Sequence, residues 1–103
     1  MSRVLVQESG GPVRVSEAAL TEIVRRAVES VEGARLRKGR RRLGVELGGG
    51  RARAELQLAV AYGRVLPEVS AAVQERVADA LARMFGVEVE AVDVTVEQLE
   101  RAR

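Results

Sequence analysis

The chain has 103 residues, of which 47% are hydrophobic and only 2% aromatic, and its 17 basic residues against 15 acidic ones leave a formal charge of +2. It contains no histidine, cysteine or tryptophan. The usual neutral-pH proton shuttle and the soft metal ligands are therefore missing, and a disulfide framework is ruled out. These counts predict one small domain with an aliphatic core, and neither catalytic residues, a cofactor nor a metal site.

In chain order, residues 1–12 carry the breaker cluster Ser9-Gly10-Gly11-Pro12 and read as a flexible N-terminal arm. The apolar stretch Val4-Leu5-Val6 is too short for a signal-peptide core, and no run approaches the about 20 apolar residues that span a bilayer. A cytoplasmic protein is expected, peripheral at the inner face of a membrane only through a partner. Val13-Arg14-Val15 alternates as a short strand. Ser16 suits a helix N-cap, and Leu20, Ile23, Val24, Ala27, Val28 and Val31 form one apolar stripe, which predicts a helix over 16–31 ended by Gly33.

Residues 34–42 show no apolar period and crowd like charges, so they read as a mobile loop. Leu43 to Leu47 alternates as a strand, and Arg51 to Tyr62 alternates along its whole length. Ala52, Ala54, Leu56, Leu58, Val60 and Tyr62 share one side. Gly48-Gly49-Gly50 between them predicts a hairpin turn. It is not a phosphate loop, because it leads into a strand and lacks the lysine and Ser/Thr. Pro67 and Glu68 open a second helix over 67–85, with Val69, Val73, Val77, Ala80, Leu81 and Met84 on its stripe and Gly86 as its stop. Val92, Val94 and Val96 make a last strand. Val87 and Val89 are out of phase with them, which predicts a bulge or bend near Glu90-Ala91. Met84 and Tyr62 are assigned to the core, and the tail 98–103 is expected to fray.

The order βαββαβ, with one apolar face per element, predicts an α+β two-layer sandwich over residues 13–97. Two helices cover one face of a four-stranded sheet, in a ferredoxin-like or related arrangement.

Two segments taken together carry a family resemblance. The first runs from Val13-Arg14-Val15-Ser16-Glu17 to Val31-Glu32-Gly33. The second contains Val60-Ala61-Tyr62-Gly63, Leu66-Pro67-Glu68-Val69, Val73-Gln74-Glu75-Arg76-Val77, Gly86 and Val92-Asp93-Val94-Thr95-Val96. The chain resembles the alkaline shock protein 23 family of bacterial envelope stress-response proteins over about residues 13–97. The resemblance implies a non-catalytic cytoplasmic protein in which some members gather at the inner membrane face through a membrane-anchored partner. It brings no catalytic residue. Two features depart from the family pattern: a denser basic loop, and Asp93 where asparagine is common.

Charge is unevenly spread. Between Arg35 and Arg53 there are eight basic residues against Glu46 alone, and from Val65 to Glu100 eight acidic residues against Arg76 and Arg83. Such asymmetry bears on association and steering, including head-to-tail self-association. Arg35, Arg37, Lys38, Arg40, Arg41 and Arg42 are the candidate anion or partner contacts. Three readings stay open for them: a solvated loop, the phosphates of nucleic acid, and anionic lipid or an acidic protein. Base stacking of the kind RNA-binding sheets use would need aromatics that these strands do not offer. Glu88, Glu90 and Asp93 read as a solvated strand rather than a hard-cation site.

Overall fold

Eight elements follow one another: β1 (Val4–Glu8), β2 (Gly11–Val15), α1 (Glu17–Glu29), β3 (Ala34–Leu36), β4 (Leu43–Gly48), β5 (Arg51–Ala61), α2 (Leu66–Phe85) and β6 (Glu88–Glu100). The computed structural model describes residues 4–8, 11–39 and 42–101.

Both helices form for reasons visible in their ends and stripes. The Ser16 hydroxyl accepts from the Ala19 N–H at 3.0 Å, which satisfies one orphan donor of α1, and Glu17 sits in its first turn. Leu20, Val24 and Val28, four residues apart, are fully buried. Pro67 opens α2, and Val69, Val73, Val77 and Leu81 are its buried row. Gly86 ends α2 in the left-handed region at φ 64°, its N–H donating to the Ala82 carbonyl at 2.9 Å.

β5 is the hub of the sheet. Ala52, Ala54, Leu56, Leu58 and Val60 are each at most 2% exposed and face the helices. Burying a large aliphatic side chain such as Leu58 is worth about 1.5–3 kcal/mol, so this one strand anchors much of the core. On one flank β4 pairs antiparallel from Leu43↔Leu56 to Gly48↔Arg51, and β3 pairs antiparallel from Ala34↔Val60 to Leu36↔Leu58. On the other flank β6 runs parallel to β5 for its full length, from Arg51↔Glu88 to Ala61↔Glu100. β3 and β4 therefore share a flank and act as two halves of one edge strand. The β4–β5 turn has two residues, Gly49 at φ 59° and Gly50 at φ 77°. Positive φ at both is the type I′ pattern that matches hairpin twist.

β6 carries two register shifts. Val89 pairs with Ala52 and Ala91 with Arg53, so Glu90 is an extra residue, and this is the expected bend. It lets Val89 and Val92 face the helices together. The second shift leaves Glu97 extra, between Leu58↔Val96 and Ala59↔Gln98, and no sequence signal announced it.

The α+β sandwich and the four-stranded sheet stand, but one strand differs from expectation. Val13-Arg14-Val15 pairs with Val4–Val6 in a separate two-stranded hairpin instead of entering the main sheet. Of the expected arm, 4–8 and 11–12 belong to that hairpin; residues 1–3, Ser9 and Gly10 lie outside the described residues. The fourth strand of the main sheet is β3, inside the segment expected to be a loop. Its burial alternates with Ala34 and Leu36 inward, a pattern too short to register among like charges. The tail does not fray at Gln98, because the ladder with β5 continues to Glu100.

Two core assignments fail. Tyr62 is 70% exposed, since β5 ends at Ala61 and the turn through Gly63 at φ 95° carries the chain off the sheet. Met84 is 61% exposed. The buried row advances by four from Leu81 to Phe85, which packs against the core in its place.

Candidate functional site

The basic segment leaves and re-enters the edge strand at one point. The Arg37 N–H donates to the Gln57 carbonyl, and the Gln57 N–H donates to the Arg42 carbonyl, each at 2.9 Å. One residue of β5 thus closes the base of the 37–42 excursion. The backbone there is paired as in a strand, so the loop is anchored rather than mobile at both ends.

Of the six candidate cations four are described, and the three arginines among them have different partners. Arg35, in β3, forms a two-pronged pair with Glu100 of β6, with Nε 3.3 Å from Oε1 and the second guanidinium nitrogen on Oε2. That hydrogen bond holds the Glu100 carboxyl below the usual carboxylate range and the Arg35 guanidinium above its own. Arg37 pairs with Glu97 at 3.7 Å. Arg42 donates to the Gly39 carbonyl within the loop. Lys38 is exposed. Arg40 and Arg41 lie outside the described residues.

By register, Arg35, Arg37 and the odd-numbered residues of β5 lie on the sheet face away from the helices. The Arg35–Glu100 and Arg37–Glu97 pairs cross β5 on that face, and Arg51 adds a third link to β6 through Glu90 at 3.2 Å. The charge asymmetry of the sequence is therefore answered within the molecule, the basic flank being tied to acidic β6. Beside the hairpin, Glu46, Arg51, Arg53 and Glu90 line a shallow depression of about 280 Å³. Its charges are two of each sign, which gives it no preference for an anion.

One row of the open face is left unbalanced. Glu55 and Asp93 are direct partners across the β5–β6 ladder, with Gly44 on the other side of Glu55. Both are exposed. No described cation lies within ion-pair distance of either. The Glu90 bulge also puts Glu88 on the face that carries Asp93, contrary to simple alternation. Among the described residues no group of three or more acidic side chains converges as a metal site.

Sequence reasoning missed these cross-strand pairs, although the opposite charge of residues 35–53 and 65–100 was their signal. It also missed Gln74. The Gln74 side-chain amide donates to the Val92 carbonyl at 2.9 Å, so a helix side chain supports the backbone of β6.

The matched relatives cover this same architecture. A family model for the alkaline shock protein 23 family, described as having a cell envelope-related function, matches residues 34–101, from β3 to the end of β6. The chain belongs to the alkaline shock protein 23 family. The match leaves out residues 13–33, so the resemblance read there from sequence stands apart from it. A comparison with curated proteins returns no match.

Among solved structures, this family member is similar to a substituted MamM CTD in a zinc form, at 19% identity over 84% of this chain and 86% of that one, with a TM-score of 0.51. A second substituted MamM CTD and a manganese form each match at 19% identity over 81% of this chain and 99% of theirs, with TM-scores of 0.51. At that identity the likeness shows a shared fold.

Proposed function

We propose that the protein is a non-catalytic interaction protein of the cell envelope, held at the inner membrane face by a protein partner. Family membership supplies the envelope relation. The observation that carries a protein partner over direct lipid contact is that Arg35 and Arg37 are already engaged by Glu100 and Glu97; no helix among the described residues is long and apolar enough to cross a membrane. A lipid-binding or nucleic-acid-binding loop is the weaker reading. Two of its six cations, Arg35 and Arg37, are already neutralised by Glu100 and Glu97.

Fractionation tests this. The protein sediments with membranes from host extract and stays in solution with pure phosphatidylglycerol vesicles or RNA at about 0.2 M salt. Sedimentation with pure lipid, or RNA retention lost on Arg40→Ser, Arg41→Ser and Arg42→Ser substitution, would overturn it.

A further inference from the structure

We infer that the outer edge of β6 between its two bulges accepts an extended partner segment that alternates apolar and basic residues. The inference rests on the interaction role proposed above and names its surface. Among the described residues β6 pairs only with β5, so its other flank presents backbone donors and acceptors, a template for an added strand. Glu90 and Glu97 are bulged, and the six residues from Ala91 to Val96 between them run in unbroken register.

The side chains along this stretch specify what fits. On the helix side, Val94 and Val96 pack against the core yet remain only partly buried, and Leu99 just beyond is 52% exposed. An added strand would cover them with its own apolar residues. On the open side, Asp93 faces Glu55, and no described cation is within ion-pair distance of either. Like charges directly opposite one another in a sheet are destabilising, and a basic side chain from the next strand over would relieve the pair. A second copy of β6 fits less well, because its Ala91–Val96 stretch holds no basic residue to relieve the pair. The occupant is a segment of another protein, read by backbone hydrogen bonds and selected by positive charge.

The probe is a synthetic peptide of about ten residues alternating valine and arginine, with a valine–glutamate version and an N-methylated version of the first. Fluorescence anisotropy on the full chain should show binding of the arginine peptide. Losses of at least about tenfold are expected for the other two peptides and for Asp93→Lys. Hydrogen exchange should slow at residues 91–96. Equal binding of the N-methylated peptide would reduce the contact to charge attraction and overturn the strand-addition claim, as would protection elsewhere or no binding. Concentration-dependent self-association that protects β6 and excludes the peptide would overturn the choice of occupant. If membrane co-fractionation survives while the peptide fails, the edge claim falls alone; if the peptide binds and co-fractionation fails, the envelope partner falls alone.

Discussion

Arg35 on one outer strand of the sheet grips Glu100 on the opposite outer strand, passing over β5 at Ala59 and Ala61. The pair fastens the last residue of β6 to the short strand β3, tying the expected tail to the segment expected to be a loop.

Acid titration should expose this contact. Glu100 is held below its unfolded value by the Arg35 hydrogen bond. Its contribution is therefore whole above the ordinary carboxylate value of about 4.3 and is lost as pH falls through the lower folded value. Denaturation midpoints measured from about pH 6 down to pH 2 should fall less steeply for Glu100→Gln than for the parent. Glu22, held down by Arg26 and Arg25, keeps its own share of the slope in both proteins.

Leu58 inside β5 and Tyr62 just past its end should separate sharply in a stability measurement. Leu58 is fully buried and Tyr62 is 70% exposed. Leu58→Ala should cost about 2–5 kcal/mol in urea unfolding, and Tyr62→Ala should stay within about 0.5 kcal/mol. Equal losses would contradict the end of the strand at Ala61.

The glycine turn makes a backbone prediction. Gly50 holds φ 77° with open space around its missing Cβ, so an alanine meets conformational strain and no clash. Gly50→Ala should lose about 1–2 kcal/mol, read from the thermal midpoint.

Gln74 tests a tie between layers. Removing its amide leaves the Val92 carbonyl without that donor. Gln74→Ala should cost about 1 kcal/mol in chemical denaturation, and Glu75→Ala, on the exposed surface beside it, close to nothing.

Both helices, the hairpin and the Glu90 bend were legible because each is written in local pattern: a stripe, a cap, two glycines, a phase change among valines. β3 was not. Its three residues carry one alternation, Ala34-Arg35-Leu36, and what makes them a strand is pairing with Leu58, Ala59 and Val60 far along the chain. Tyr62 continues the β5 alternation past the end of the strand at Ala61, and Met84 fits a three-residue step from Leu81 where the buried row takes a four-residue step to Phe85. The basic run reads as a unit because its residues are adjacent in sequence. Their partners Glu97 and Glu100 lie about sixty residues away, and only the regional charge contrast hinted at them.

The closure of the 37–42 excursion on Gln57 has a practical meaning for diversity. Because strand register resumes on both sides of a single residue, the intervening chain can lengthen, shorten or change composition while the framework around it keeps its alignment. Loop-closure theory puts each doubling of such a segment at only about 0.6 kcal/mol. The excursion is thus a natural graft point: foreign recognition sequences placed there should be displayed from a scaffold that does not register their arrival.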